Sequence, residues 1–289
     1  MTNLQIIILS ALQGFTEFLP VSSSGHLILL SKFTSFPDQG LEIDIAVHVG
    51  SILAVMIYFW RDIRDMLYGL VNAFFNRFPS VKNFYLRKAS AAAKDFILNQ
   101  LPAADLRLLL MLVVGTVPAV VFGLALHHFG MEWLRSTKII GWNILLFGIL
   151  LWIADRFQPS KRSIADMTYK DAFLMAQCLA MIPGTSRSGI TITASRFLRL
   201  ERREAARFCM LLSVPAIAGA GLLVAAEIWQ SGNYENLHYA LSGIGYSFIA
   251  SIAAIFIMMK WLKNYTFLPF VIYRVGLGIF LLLHSYGYI

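Results

Sequence analysis

The chain has 289 residues, of which 58% are hydrophobic and only 14% charged, and its mean hydropathy is +0.67. A soluble domain carries about 25% charged and roughly 45–50% apolar residues, so this excess is more than one core can cover and excludes a soluble globular protein. The net charge of +8 does not mark a nucleic-acid binder, because Lys and Arg sit in the connections between apolar runs and not along one solvated face.

The first apolar stretch is interrupted. Leu4–Thr16 and Leu27–Phe36 flank Glu17-Phe-Leu-Pro-Val-Ser-Ser-Ser-Gly-His26, and arms of about ten residues are too short for a hydrocarbon layer that takes roughly 20. Pro20 and Gly25 favour a turn, so the stretch reads as a re-entrant helix–loop–helix hairpin. Non-helical backbone at that depth must be buried in protein or line a water-filled cavity. Met1–Gln5 has no basic n-region and no small-residue cleavage site follows, so no signal peptide is expected. A full span is predicted at 43–60, followed by the basic, aromatic-containing loop 61–105 (Phe74, Phe75, Phe78, Phe84 and Tyr85). That loop reads either as amphipathic helices on one leaflet or as a solvated connector. Spans at 106–127 and 139–155 follow. A second interrupted stretch, Ala172–Ile182 and Ile190–Leu198, is broken by Pro183-Gly-Thr-Ser-Arg-Ser-Gly189 and reads as a second hairpin. Spans at 208–230, 243–262 and 267–288 complete the chain. The predicted fold is an all-α polytopic membrane protein, one membrane domain over 1–289, with six transmembrane helices and two re-entrant hairpins.

Basic residues test this topology. With both hairpins returning to their own side, the loops 61–105, 156–170, 196–207 and 260–266 share one face and hold most of the 24 Lys and Arg. The opposite face holds only Lys32, Arg135 and Lys138, which makes the first face cytoplasmic by the positive-inside rule. The order hairpin, span, loop, span, span then occurs twice, in pseudo-repeats 1–155 and 156–289. The breaks echo each other in Pro20-Val-Ser-Ser-Ser-Gly25 and Pro183-Gly-Thr-Ser-Arg-Ser-Gly189, and Thr116-Val-Pro-Ala119 more weakly echoes Ser213-Val-Pro-Ala216. Paired broken segments in an inverted repeat point to a binding site near the bilayer midplane.

The residues in the breaks carry chemistry. Ser22, Ser23, Ser24, Ser186 and Ser188 are suited to cap helices, and the same geometry leaves N–H groups and a positive helix end free for an anion. Arg187 lies in one break, where a membrane-buried Arg costs about 2.5–3.5 kcal/mol on insertion scales. Its planar fork suits phosphate oxygens, with a carboxylate pair as the alternative. Glu17 lies in the other break, with Gln13 four residues earlier on the same helix face to supply a neutral ligand or hydrogen bond. His26, on the far arm of the same hairpin, is expected to come near Glu17 as a proton carrier. Arg274, inside the last span, either pairs with a carboxylate or reaches the anion. His48, early in a span, is a minor candidate. His127, His128, His238 and His284 are assigned to interfaces, as are Trp60, Trp133, Trp229 and Tyr288. Cys178 and Cys209 have no metal-ligand spacing and read as core.

The run Gln13-Gly-Phe-Thr-Glu17-Phe-Leu-Pro-Val-Ser-Ser-Ser-Gly-His26, together with Pro183-Gly-Thr-Ser-Arg-Ser-Gly189, closely resembles the bacterial undecaprenyl-pyrophosphate phosphatase family of the bacitracin-resistance type. Gly50-Ser-Ile-Leu-Ala-Val55 and Phe267-Leu-Pro-Phe-Val-Ile-Tyr-Arg274 extend the likeness over nearly the whole chain. The resemblance implies hydrolysis of undecaprenyl diphosphate to the monophosphate, which recycles the lipid carrier of cell-wall synthesis. It also implies an inner-membrane site opening to the periplasm and a divalent cation, Mg²⁺ or Ca²⁺. Carried over by position, Glu17 is the essential acid, Arg187 the diphosphate clamp and His26 the acid/base partner, with Ser23 as nucleophile or Glu17 activating a water. Ser22, Ser24, Thr185, Ser186, Ser188 and Arg274 are assigned to the headgroup, and Glu17 and Gln13 to the metal. Many members of that family have Glu where this chain has Gln13, so one carboxylate fewer is available to a cation. Undecaprenyl diphosphate and membrane lipid are the implied partners, and a homodimer is compatible with the sequence. The rival readings are a lipid-carrier transporter or flippase, which needs no Glu17, and a membrane scaffold, which leaves Arg187 without a purpose.

Overall fold

The predicted apolar runs fold as helices. The structure, a computed structural model, describes residues 2–34, 40–100, 106–129, 134, 136–175, 178–231 and 237–288. Trp133 and Arg135 lie outside the described residues, as do the side chains of His127, His128, Cys178 and Trp229. The first half comprises α1 (Asn3–Phe18), α2 (Ser23–Phe33), α3 (Gly40–Tyr58), α4 (Trp60–Arg77), α5 (Pro79–Lys88), α6 (Ala91–Asp95), α7 (Arg107–Phe129) and α8 (Thr137–Phe157), with a π-helical turn at Phe96–Gln100. The second comprises α9 (Tyr169–Leu174), a 3₁₀ turn at Cys178–Met181, α10 (Arg187–Phe197), α11 (Arg202–Ser231), α12 (Leu237–Trp261) and α13 (Leu268–Ser285). Thr137–Phe157, Arg202–Leu223, Leu237–Trp261 and Leu268–Ser285 are each long and apolar enough to cross a membrane. Glu42–Tyr58 and Trp60–Arg77 pass the same test as a pair bent by 82°. The chain is an all-helical polytopic membrane protein.

Both predicted breaks are present, with altered bounds. The first is narrower than expected because nothing from Glu17 to Phe18 stops a helix. Pro20 does, by forcing the residue before it out of the α region, and Leu19 is extended at φ −70, ψ 140. The first arm of the second interruption is not one continuous helix, since α9 ends at Leu174 and, among the described residues, a 3₁₀ turn at Cys178–Met181 precedes α10. The loop 61–105 is helical over most of its described length, in α4, α5, α6 and the π turn.

The main core gathers Phe18, Leu151, Phe208, Leu211, Met258 and Phe267 beneath the two breaks. Around it α3 packs on α12 and α11, α8 on α13, α1 on α12, and α10 on α8. Close approach depends on small residues: a Cβ at Gly50 would lie 2.3 Å from the Ile244 carbonyl oxygen, and one at Gly14 would lie 2.6 Å from Ala250 Cβ. Away from the breaks, Asp155 of α8 accepts from Arg196 Nε at 3.0 Å, Arg202 Nε at 2.8 Å and the Phe267 N–H at 3.1 Å. Arg196, fully buried, also donates to Ser160 Oγ and to the Gln158 and Leu200 carbonyls. That node fixes the far end of α10, and so the line along which its first residue points.

Candidate active site

The two breaks end with the same device. Ser22 and Ser186 both have left-handed backbones, at φ 76 and 73, a conformation that costs a non-glycine residue about 1–3 kcal/mol. Each caps the helix it precedes: the Gly25 N–H donates to Ser22 Oγ at 3.4 Å and the Gly189 N–H to Ser186 Oγ at 3.0 Å. The next residue in each break, Ser23 or Arg187, is therefore the first of its helix, at the positive end. Gly184 (φ +90) makes the second turn possible, since a Cβ there would meet the Ile140 carbonyl oxygen at 2.6 Å.

Ser23 and Arg187 meet on one carboxylate. Ser23 Oγ donates to Glu17 Oε2 at 2.6 Å, and Arg187 Nη2 donates to Glu17 Oε1 at 2.5 Å. Gln13 Nε2 donates to Oε2 at 2.7 Å, and His48 Nε2 lies 3.5 Å from the same oxygen. Arg187 Nη1 has no hydrogen-bond partner among the described residues, which leaves a guanidinium donor for a ligand. The breaks are also stitched to each other, because Ser188 Oγ donates to the Leu19 carbonyl at 2.9 Å.

A cavity of about 370 Å³ opens onto this point, within the roughly 300–1,000 Å³ of small-ligand sites. Glu17, Ser23, Ser24, Asp44, His48, Ser186, Arg187 and Ser188 give it a polar side. Ile45, Ala119, Ala180, Ala216, Ile217 and Ala220 give it an apolar one. The weak sequence echo has a place here, since Ala119 and Ala216 each follow a helix-internal proline (Pro118 in α7, Pro215 in α11) and both line the cavity.

The structure places several of the expected residues differently. His26 does not face Glu17: residues 22 and 26 lie one turn apart, so its Nδ1 folds back to the Ser22 carbonyl at 2.7 Å. Its Nε2 meets Tyr273 Oη at 2.6 Å on α13. His48 occupies the place beside Glu17 instead. His48 was a minor candidate from its position early in a span, and Asp44, which the sequence reading missed, stands four residues before it on the same helix face. Gln13 is fully buried and steadies Glu17 without lining the cavity. Ser22 and Thr185 are likewise buried behind the cavity wall. Arg274 has no carboxylate partner among the described residues and does not line this cavity. It is fully buried and donates to five backbone carbonyls: Pro20 in the first break (3.2 Å), Gly184 and Thr185 in the second (3.1 Å each), and Asn143 and Ile144 of α8 (3.3 and 3.1 Å).

The residues present make half a cation site. Glu17 and Asp44 are two carboxylates on one cavity, and Mg²⁺ commonly takes one or two carboxylates and completes its shell with substrate phosphate and water. No cluster of three or more His, Cys, Asp or Glu fit to hold a metal ion occurs among the described residues, so a cation here fits only alongside a phosphate-bearing ligand.

Two helix N-termini, a guanidinium and hydroxyls around a carboxylate, with an apolar wall opposite, define a polytopic membrane protein that handles an anionic headgroup attached to an apolar chain. The comparisons narrow the class to a family. A profile described as "Bacitracin resistance protein BacA" matches residues 6–280, and the chain belongs to that family. It is similar to the undecaprenyl-diphosphatase of Ruegeria sp. (strain TM1040), 42% identical over 290 residues that cover 99% of this chain and 100% of the relative. The undecaprenyl-diphosphatases of Alteromonas mediterranea (40% over 284 residues, 98% of each chain) and Hahella chejuensis (41% over 288 residues, 99% of each) are comparably similar.

Proposed function

We propose that the cavity hydrolyses undecaprenyl diphosphate to undecaprenyl phosphate and inorganic phosphate, returning the lipid carrier to cell-wall synthesis and conferring bacitracin resistance. The observation that carries this reading is the meeting of Ser23 and Arg187, the first residues of two broken helices, on Glu17. The headgroup enters from the polar side while Ala119, Ala216 and Ile217 face the polyprenyl chain. Arg187 and the two helix ends stabilise charge on the equatorial oxygens of the transferred phosphoryl group.

The nucleophile's proton goes to Glu17, the base in direct contact with Ser23. If Ser23 attacks, a bond forms between Oγ and the terminal phosphorus, the bridging P–O bond breaks and the lipid monophosphate leaves with the electron pair. A water then hydrolyses the phosphoserine. If a water activated by Glu17 attacks, one displacement gives the same products. His48, 3.5 Å from Glu17, takes the place the sequence assigned to His26. Glu17 and Asp44, with the diphosphate itself, would hold a Mg²⁺ or Ca²⁺ ion, which supplies charge neutralisation when bound.

The cavity opens to the periplasm from the inner membrane under the positive-inside topology. The inverted repeat is supported by packing between counterpart spans of the two halves, α3 on α11 and α8 on α13, and by a matched pair of contacts, α1 on α12 in one sense and α9 on α7 in the other.

The experiment is phosphate release by the purified chain from a polyprenyl diphosphate, with and without chelator. Release that falls on chelation is expected, and a phosphoserine at residue 23 trapped by rapid quench would exclude the water route. Lipid movement across liposomes with no phosphate released would establish the transporter reading instead.

A further inference from the structure

The 19 residues of α3 extend about 28 Å at 1.5 Å per residue, a hydrocarbon thickness. Its far end turns into α4 through a bend of 82°. A helix that leaves a spanning helix at nearly a right angle runs along the membrane surface. The residues of α4 suit that position. Trp60, Leu67, Leu70, Val71 and Phe74, with Phe78 at the end, recur at helical spacing on one stripe, and all are exposed. Asp65, Asn72 and Asn76 lie on the opposite face. Met66, Gly69 and Phe75 are buried against the protein, so α4 is already fixed in place with its stripe turned outward.

Basic groups border the stripe. Arg61 and Arg64 lie 5.6 and 5.2 Å from the Trp60 ring, and Arg77 lies 5.9 Å from the Phe78 ring. Lys88 sits 4.6 Å from Phe84 in α5, and Lys82, Arg87 and Lys94 continue the run. The acids of this region are engaged nearby: Asp62 with Arg207, Asp65 with Arg64, Asp95 with Asn99. A stripe of Leu and Phe bounded by an aromatic at the bend and by arginines matches the boundary between acyl chains and acidic headgroups.

We infer that α4 is an in-plane lipid-binding helix, whose stripe enters the acyl region of the leaflet at the C-terminal end of α3 and whose arginines hold anionic phospholipid headgroups. A guanidinium binds a lipid phosphate in bidentate fashion; at helical spacing Arg61 and Arg64 flank one side of the stripe, Arg64 while paired with Asp65, and Arg77 flanks the other. None of these residues lines the cavity at Glu17, so the surface is a second site, and its occupant is membrane phospholipid in place of substrate.

The test uses the full chain in nanodiscs, in a background with Cys178 and Cys209 changed to Ala. A nitroxide is placed through Phe74→Cys or, as control, Asn76→Cys. Position 74 is expected to be accessible to oxygen and shielded from a water-soluble nickel complex, with the reverse at position 76. Separately, raising the phosphatidylglycerol content is expected to lift the unfolding midpoint of the wild type by roughly 5 °C. The triple variant Arg61→Gln, Arg64→Gln, Arg77→Gln should lose that response. Equal nickel accessibility at 74 and 76, or a triple variant that responds to anionic lipid as the wild type does, overturns the inference.

Discussion

Glu17 receives one donor from each break, so its two neighbours should fail differently from the residue that holds the breaks in register. Arg187→Ala removes the only side-chain cation that, among the described residues, touches the Glu17 carboxylate at hydrogen-bond distance. Turnover is expected to fall by roughly 10³-fold or more, with the unfolding transition of the purified protein close to wild type. Arg274→Lys replaces a planar fork that reaches five carbonyls with one ammonium carrying three donors. The prediction is a kcat lower by about tenfold or more with KM little changed, because the breaks lose register while the cavity keeps its lining. Unchanged kcat in a folded Arg274→Lys protein would show that the five contacts only support the fold. Glu17, Ser23, Ser24 and Arg187 were legible in the sequence because polar residues stood out inside membrane interruptions. His26 was misplaced because its direction depends on where α2 starts, one residue after a left-handed serine. His48 was nearly invisible, being brought to Glu17 only by the packing of α3 beside the first hairpin.

At the scale of elements, packing without room for a methyl group makes a sharp prediction. Gly50→Ala places a Cβ against the Ile244 carbonyl oxygen, 2.3 Å away, so α3 and α12 must separate. The expected cost is about 1–3 kcal/mol, read as a drop in the unfolding midpoint of roughly 3–10 °C. A second prediction concerns the connection before α9. The Ser163 N–H and hydroxyl both donate to Asp166 Oδ2 at 2.8 Å. The Ser163 backbone bond, then its hydroxyl, hold the Asp166 carboxyl below its usual range. A depressed folded value means that the contribution is present above the ordinary carboxylate pKa of about 3.9 and is lost as pH falls below it. Hydrogen exchange at 163–167, corrected for its intrinsic rate, should rise below about pH 4 in the wild type. In Asp166→Asn it should be raised already at neutral pH. The spans were readable as apolar length alone. The irregular first arm of the second hairpin was not, because α9 and the 3₁₀ turn at Cys178–Met181 share one apolar run in which nothing in the residues themselves marks the stop after Leu174.

At the scale of the whole molecule, two interrupted segments form one site because neither completes it alone: the first brings the carboxylate and a hydroxyl, the second the guanidinium. Hydropathy and the Pro and Gly residues marked both interruptions. Their convergence on a single carboxylate depends on Arg274 and Ser188, whose partners are backbone carbonyls and so leave no mark in the sequence. The most direct measurement is the position of a bound, non-hydrolysable polyprenyl methylene-diphosphonate in an experimental structure of the full chain. Its terminal phosphonate is expected between Arg187 and Ser23, with its chain against Ala119 and Ile217. An analogue bound instead in the charged pocket lined by Arg107, Glu204 and Arg207, with the Glu17–Arg187 pair undisturbed, would contradict that placement.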